Sequence, residues 1–231
     1  MKDIVTMGNN SSGTKEIIII GNSGSATEVY EIVYTNLIQS SVYRLDYQFK
    51  GFLGYNRHEG ILEGIFKQYD LGFDDEYTIQ ENDVFVIGIG DNKTRMEAYE
   101  KFKSNGAKFI NVISPWAGIS HEVEMGEGNI INIGCYISPQ CKIGNCNYLN
   151  GEVRIGHNAQ VGDFNFFGIR ALVMGNAKIG SSNKLGPTAL LMEKSKIGDN
   201  NTIAPGAIVY KGCKNNCLMA GNPALIIEKQ E

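Results

Sequence analysis

Large apolar residues recur at every sixth position through the second half of the chain. Sixteen such positions follow one another from Ile119 to Val209 without an insertion. A period of six fits neither an α-helix nor a single strand. It is typical of short strands joined by sharp corners around a narrow apolar interior. The positions are Ile119, Met125, Ile131, Ile137, Ile143, Leu149, Ile155, Val161, Phe167, Val173, Ile179, Leu185, Leu191, Ile197, Ile203 and Val209.

Two further biases accompany this repeat. Small or compact residues stand four positions after each apolar one, and glycine directly follows eight of the sixteen. Glycine is suited to tight corners, and the chain has 28 glycines among 231 residues, above the usual share of about 7%. The pattern predicts a parallel β-helix, because a glycine-rich β-sandwich would not keep this register. With three hexads per coil, residues 18 apart stack on one face about 4.8 Å apart.

The first half of the chain alternates strand-like and helix-like segments. Such alternation predicts a parallel, three-layer α/β sheet. The predicted strands are 15–20, a segment ending near 51–53, 84–88 and 108–113, and the predicted helices are 26–37 and about 94–104. We therefore divide the chain into a polar leader (1–14), an α/β domain (15–115) and a β-helix domain (116–231).

The bulk composition excludes several classes of partner. The net charge is −4 and no block of Lys or Arg stands out, so we expect no nucleic-acid partner. No apolar run has the length of a membrane span, and the first residues do not read as a signal peptide. The five cysteines form an odd set without a secretory signal, which favours reduced thiols in the cytoplasm.

We expect neither a dinucleotide cofactor nor a metal site. The loop Gly21-Asn22-Ser23-Gly24 could seat a phosphate at a helix start, or be a turn that only needs its glycines. It is not G-x-G-x-x-G, which argues against a dinucleotide. His121 lies 36 residues, or two coils, before His157, about 10 Å away and too far to share a zinc ion. We expect no metal site, which also argues against a γ-type carbonic anhydrase.

His157 is the candidate with the clearest chemistry. It follows the corner glycine Gly156, so its side chain should project outwards. Histidine is a common general base because its ordinary pKa lies near neutral pH. Gly175 lies 18 residues later, one coil above on the same side. A general base and a backbone N–H donor one coil apart make a plausible catalytic pair. The alternative is a surface histidine without a role.

Several motifs, taken with this domain order, resemble one family of sugar acetyltransferases. The family includes the sialic-acid O-acetyltransferases and the nucleotide-amino-sugar N-acetyltransferases of the bacillosamine and perosamine pathways. The resemblance covers about residues 15–227. The motifs are Ile19-Ile20-Gly21-Asn22-Ser23-Gly24, Gly51-Phe52-Leu53, Val86-Ile87-Gly88-Ile89-Gly90-Asp91-Asn92-Lys93-Thr94-Arg95, Ile155-Gly156-His157-Asn158 and Ala220-Gly221-Asn222-Pro223-Ala224.

The resemblance implies a Rossmann-like domain and a left-handed β-helix that act as a homotrimer. Acetyl-CoA would lie between neighbouring β-helices, and the acceptor sugar would bind the N-terminal domain. His157 would be the base, Asn158 its neighbour in the site, and the Gly175 N–H would face the thioester oxygen. The implied coenzyme residues are Phe166, Gly175, Pro187 and Pro205, and the implied acceptor residues are Ser23, Gly24, Ser25, Gly90 and Lys93.

The chain departs from the family pattern at several positions. Asn158 replaces a common acidic residue, Phe166 replaces a polar coenzyme contact, and Arg170 stands in a turn often filled by small residues. Gly54-Tyr55 replaces the paired aspartates that hold the nucleotide base in bacillosamine-type enzymes, and Ser25 replaces their loop histidine. The acceptor therefore stays open between a nucleotide sugar, a free sugar such as sialic acid, and a lipid- or polymer-linked sugar.

The leading hypothesis is an acetyl-CoA-dependent acetyltransferase that N-acetylates a nucleotide-linked amino sugar for surface glycan synthesis. O-acetylation of sialic acid or another glycan sugar is the alternative within the same class. A trimeric binding or scaffold protein without catalysis is the alternative from another class. An acyltransferase that takes a longer chain from an acidic carrier protein is disfavoured, because no basic docking surface is evident.

Overall fold

The computed structural model describes residues 13–39, 46–57 and 62–229. Most of the predicted polar leader lies outside the described residues. The described chain forms an α/β unit followed by a stack of three-sided coils. In chain order, the elements of the α/β unit are β1 (Lys15–Ile20), α1 (Gly24–Gln39), β2 (Tyr47–Gly54), a 3-10 helix (Gly64–Tyr69), β3 (Asp70–Phe73), β4 (Asp83–Ile87) and α2 (Asn92–Ser104).

The α/β unit has a parallel sheet in the order β3-β2-β1-β4. The run of four isoleucines in β1 is fully buried because both faces of the sheet are covered. Val29 and Val33 of α1 pack on one face, and Ala98 and Phe102 of α2 pack on the other. This arrangement confirms the predicted three-layer unit. Within the described ranges, no helix is both long and apolar enough to span a membrane.

Two parts of this sheet differ from the prediction. The edge strand β3 was not predicted, because its four residues Asp-Leu-Gly-Phe carry no apolar run. The expected fourth strand, 108–113, makes only one bridge to the sheet, between Phe109 and Phe85. The chain then leaves the sheet, since the Val112 N–H donates to the Asn129 carbonyl of the coil stack at 2.8 Å. The apolar residues of this segment therefore serve two units in turn.

The coil stack has three faces, each built from every third strand in parallel, and face I ends in one antiparallel strand. It starts at Val112, ahead of the boundary predicted after residue 115. Face I comprises β5 (Val112–Ile113), β8 (Ile130–Ile131), β11 (Tyr148–Leu149), β14 (Phe166–Phe167), β17 (Lys184–Leu185), β20 (Thr202–Ile203), β23 (Cys217–Gly221) and the antiparallel β24 (Ala224–Lys229). Face II comprises β6 (Gly118–Ile119), β9 (Tyr136–Ile137), β12 (Arg154–Ile155), β15 (Leu172–Val173), β18 (Leu190–Leu191) and β21 (Ile208–Val209). Face III comprises β7 (Glu124–Met125), β10 (Lys142–Ile143), β13 (Gln160–Val161), β16 (Lys178–Ile179), β19 (Lys196–Ile197) and β22 (Gly212–Cys213).

The apolar repeat fills the interior of this stack, as predicted. The every-sixth residues from Ile131 to Val209 are all buried, and residues 18 apart pair between coils, such as Ile155 with Val173. The coils stack so closely that some corners exclude any side chain. A Cβ on Gly156 would come within 2.5 Å of the Gly175 nitrogen on the next coil.

A ladder of buried asparagines runs along the edge between faces III and I. Its members sit at the compact position of the repeat, 18 residues apart: Asn129, Asn147, Asn165, Asn183 and Asn201. The Asn165 side-chain oxygen accepts from the Asn183 backbone N–H at 2.8 Å, and its Nδ2 donates to the Asn147 oxygen at 3.0 Å. The same pair of bonds recurs from coil to coil, so the ladder satisfies polar groups that the interior would otherwise leave unpaired.

The α/β unit is docked on face I, and Arg95 lies at the junction. Its guanidinium is 1% exposed. It donates to the Ile89 and Gly90 carbonyls of its own unit at 2.9 and 3.1 Å. It also donates to the Cys146 and Phe164 carbonyls of the coil stack, each at 3.0 Å. Burial lowers the pKa of Arg95 to about 10, so the side chain keeps its charge at neutral pH.

Replacement of a ladder asparagine should destabilise the fold. Asn165→Ala leaves the Asn183 N–H and the Gly180 carbonyl, which accepts from Asn165 at 2.9 Å, without their buried partner. An unsatisfied buried group costs about 1–3 kcal/mol, so we expect the free energy of unfolding to fall by at least about 2 kcal/mol. Gln160→Ala is the control, because the Gln160 amide is exposed on face III and its strand backbone accepts alanine without strain. Denaturant unfolding at one protomer concentration measures both, and equal losses would contradict the ladder's role.

Candidate active site

His157 stands on the edge between faces II and III, with its side chain exposed to solvent as predicted. Its Nδ1 lies 2.9 Å from the Asn158 Oδ1. Asn158 adopts a left-handed backbone with φ 59°, and its N–H donates to the Pro139 carbonyl one coil below at 3.1 Å. The Asn158 oxygen is an acceptor, so this contact is a hydrogen bond in the tautomer that carries its proton on the His157 Nδ1. In that tautomer the Nε2 is a proton acceptor.

Gly175 lies one coil above His157 on the same edge, where the repeat predicted it. A Cβ on Gly175 would come within 2.6 Å of the His157 Nε2, so the imidazole packs directly against this glycine. The Gly175 carbonyl accepts from the Lys194 N–H at 3.1 Å, but no described residue accepts from the Gly175 N–H. The His157 Nε2 and an uncommitted backbone donor therefore lie side by side.

A second candidate site is a cavity of about 510 Å³ in the α/β unit. It lies beyond the carboxyl ends of β1, β2 and β4, beside the first turns of both helices. Of the predicted acceptor residues, Ser23, Ser25 and Gly90 line it, whereas Gly24 and Lys93 do not. The first turn of α1 has no acidic residue, so its positive end is available to an anion such as a phosphate.

Sequence reasoning missed several residues that line this cavity. Tyr55 and Asn56 follow β2, and Asp91 and Thr94 follow β4. The signal was available, since residues just after parallel strands meet at one edge of a sheet. Asp91 caps α2 by accepting from the Thr94 N–H at 2.9 Å and its hydroxyl at 2.7 Å, and these bonds lower the pKa of Asp91.

The predicted coenzyme residues lie apart within one chain. Pro187 and Pro205 are exposed on successive coils of the edge between faces I and II, across face II from Gly175. Phe166 is half-buried on face I, where its ring lies 5.4 Å from Tyr148 and packs against the core of the α/β unit. One chain thus brings Gly175 to His157 but brings neither to the two prolines.

The sequence of residues 16–102 matches a known protein family, the PglD N-terminal domain. Among curated proteins, none is similar enough to count as a match. The β-helix therefore has to be compared through its structure.

Three solved structures share the fold of nearly the whole chain. A variant of perosamine N-acetyltransferase from Caulobacter crescentus, in complex with CoA and GDP-perosamine, is 22% identical, with 95% of this chain and 100% of that chain covered and a TM-score of 0.80. The acetyltransferase domain of PglB from Neisseria gonorrhoeae FA1090, in complex with acetyl coenzyme A, is 19% identical, with 93% and 100% covered and a TM-score of 0.81. WeeI from Acinetobacter baumannii AYE is 23% identical, with 93% and 100% covered and a TM-score of 0.79. These likenesses confirm the predicted fold, an α/β domain followed by a left-handed β-helix.

Packing in the α/β unit gives a steric reason for one departure from the family pattern. A Cβ on Gly54 would lie 2.8 Å from the Phe73 ring and 2.9 Å from the Asn22 amide, so an aspartate has no room there. Tyr55 is buried and lines the cavity, and its burial raises the pKa of the phenol. This end of the cavity therefore presents a neutral aromatic side chain.

Arg170 has a local explanation in the β-helix. Its guanidinium makes two hydrogen bonds, at 2.9 and 3.1 Å, to the carboxylate of Glu152 one coil below. Both side chains are exposed on the edge between faces I and II. The pair matches charge between coils in a turn where a small residue would have no partner.

The cysteines do not form a reactive or metal-binding group. All five are free, and in the described parts of the chain no three His, Cys, Asp or Glu side chains converge as metal ligands; His58 lies outside those parts. Cys135 and Cys141 occupy interior positions of the coil stack. Burial raises the pKa of Cys135 to about 11 and that of Cys146 to about 12, so both stay as thiols at neutral pH.

Thiol labelling tests this description. At pH 8, which lies below the raised pKa values of Cys135 and Cys146, the native protein should leave both unlabelled by a maleimide, because the thiolate is the reactive form. Mass spectrometry of the labelled peptides measures the outcome. All five cysteines should react in denaturant, which is the control. Rapid native labelling of Cys135 or Cys146 would contradict the closed interior.

Proposed function

We propose that this protein is an acetyl-CoA-dependent N-acetyltransferase of a nucleotide-linked amino sugar, with His157 as the general base. The observation that carries the proposal is the contact between the His157 Nε2 and Gly175, whose N–H has no acceptor among the described residues. Its setting supports it, since the fold matches that of an N-acetyltransferase crystallised with CoA and GDP-perosamine. The match to the PglD N-terminal domain adds further support.

The chemistry follows from the two groups on this edge. The amine of the acceptor attacks the thioester carbonyl carbon and gives its proton to the His157 Nε2. The oxyanion that forms accepts a hydrogen bond from the Gly175 N–H. The carbon–sulfur bond then breaks, and the leaving thiolate takes the proton from the imidazolium. The products are the N-acetylated sugar and CoA.

The acceptor would enter through the cavity of the α/β unit. The first turn of α1, with Ser23 and Ser25, offers backbone N–H groups and hydroxyls to a diphosphate. Where the cavity borders the end of β2, Tyr55 and Asn56 supply an aromatic ring and an amide. Gly24 and Lys93, which the resemblance also assigns to the acceptor, lie on the first turns of the two helices beside the cavity.

We also propose a homotrimer with face II around the three-fold axis. Leu172, Leu190 and Ile208 form a half-buried stripe on face II, and the flanking Ile133 and Tyr210 are 51% and 53% exposed. Such a continuous apolar surface favours an interface. Three faces closed around an axis place the two edges of each face against those of its neighbours.

This assembly would complete the coenzyme site. The edge that carries Pro187 and Pro205 would meet the neighbour's edge that carries His157 and Gly175. One acetyl-CoA could then contact both prolines of one chain and the base of the next. The five free thiols favour a cytoplasmic location for the assembly.

The first test is thiol release from acetyl-CoA with a panel of UDP-, dTDP- and GDP-linked amino sugars and sialic acids. We expect turnover with one amino sugar, and a loss of at least about a hundredfold in His157→Ala, because a general base contributes about 10²–10⁴-fold. His121→Ala is the matched control, since this exposed histidine lies on the same edge two coils below. Turnover only with a sugar hydroxyl would replace N- by O-acetylation. Failure of acetyl-CoA to bind would favour the scaffold protein.

The second test is complementation between chains. His157→Ala and Pro187→Glu should each be inactive, the second because an acidic side chain would repel the coenzyme phosphates. After subunit exchange at equal amounts, about a quarter of the wild-type activity should return, because that fraction of sites has an intact base edge and an intact proline edge. Sedimentation should give three times the chain mass. No recovery from exchanged trimers would place the whole site within one chain.

A further inference from the structure

A line of three polar side chains runs down the edge below His157, one residue per coil. The His157 Nδ1 is 2.9 Å from the Asn158 Oδ1. The Asn158 Nδ2 donates to the Gln140 Oε1 at 2.8 Å, and the Gln140 Nε2 donates to the Glu122 carboxylate at 3.1 Å. We call the set Glu122, Gln140, Asn158 and His157 the edge relay.

The carboxylate at the end of the edge relay gives it a direction. An ionised carboxylate can only accept, so Gln140 must turn its NH₂ group towards Glu122. The Gln140 oxygen then faces Asn158, which must present its own NH₂ group. The Asn158 oxygen is left towards His157, whose Nδ1 must donate. The orientation of both amides thus follows from the chemistry of Glu122.

We propose that Glu122 is a positioning residue that selects the reactive tautomer of His157 through Gln140 and Asn158. With the proton held on Nδ1, the Nε2 facing Gly175 is free to act as the base. The proposal rests on the proposed function, in which this nitrogen takes the proton. It also accounts for the amide at position 158. In relatives with an acidic residue there, the carboxylate is next to the histidine, whereas here the carboxylate is that of Glu122, two coils away.

The backbone holds the edge relay in place. Glu122, Gln140 and Asn158 all adopt the left-handed conformation, with φ of 63°, 62° and 59°. Their Cα atoms therefore recur at the coil spacing of about 4.8 Å, which a side-chain hydrogen bond can span. Two charged residues, Glu124 and Lys142, each lie two positions from a member of the edge relay, and they pair with each other at 3.0 Å. That lysine thus has its own carboxylate partner on face III.

The first readout is the tautomer itself, measured without any substrate. In protein with ¹⁵N-labelled histidine, the two ring nitrogens of His157 are assigned by their loss in His157→Ala. At a pH where the imidazole is neutral, the wild type should carry its proton on Nδ1. Glu122→Gln should move the proton towards Nε2, because an amide at this end gives the edge relay no preferred direction. An unchanged tautomer in Glu122→Gln would overturn the proposal.

A charge-neutral swap provides the matched comparison. Gln140→Glu combined with Glu122→Gln keeps the net charge and moves the carboxylate one coil closer, where it accepts from Asn158 directly. This double variant should restore the Nδ1 tautomer. Glu124→Gln removes a carboxylate that lies outside the edge relay, and it should leave the tautomer of His157 unchanged. If Glu124→Gln shifts the tautomer as much as Glu122→Gln, the effect is general electrostatics and the proposal fails.

Kinetics then connect the tautomer to the reaction. We expect kcat to fall about fivefold in Glu122→Gln, the scale of one hydrogen bond, with the KM for acetyl-CoA unchanged. The swap should recover kcat. A shifted tautomer with unchanged kcat would show that the edge relay does not serve catalysis. Because the tautomer is measured without turnover, a chain that acetylates no sugar would defeat the proposed function and leave this measurement intact.

Discussion

The 18-residue register between coils is the constraint on which the rest of the molecule depends. Main-chain pairing sets it, and the asparagine ladder from Asn129 to Asn201 fixes it with buried side-chain bonds on every coil. A slip of one residue would turn the apolar positions outwards and leave those amides unpaired. The same register converts separation along the sequence into distance, so Gly175 lies over His157 and Asn158 lies over Gln140.

This conversion explains which features the sequence could predict. The apolar hexads and the pairing of His157 with Gly175 follow from counting residues, because every coil repeats the same arrangement of 18 residues. The α/β unit has no such rule. The edge strand β3 and the departure of 108–113 from the sheet depend on which backbone lies nearby in three dimensions. The asparagine ladder had a visible signal, since every third compact position is asparagine, but its bonds needed the stacked coils.

Arg95 links the cavity to the coil stack. Its guanidinium holds the carbonyls of Ile89 and Gly90, which line the cavity, and also those of Cys146 and Phe164 on the edge between faces III and I. A buried charge that loses such partners is costly, so this position tolerates little movement. The Asn92 side chain adds a bond to the Asn183 carbonyl at 3.0 Å. The loop that would hold the acceptor is thereby fixed relative to the asparagine ladder.

A β-helix also allows the parts of a site to move along its axis by whole coils. On a helix, an acidic partner from the same element has to come from a position three or four residues away. On this edge every coil presents an equivalent position, and an amide on each intervening coil can carry the direction of a hydrogen bond. The replacement of an acidic neighbour by Asn158 therefore need not remove the carboxylate from the site, since Gln140 and Glu122 extend the same line. The stacking that stabilises the fold thus also permits changes in the residues that surround His157, the proposed base.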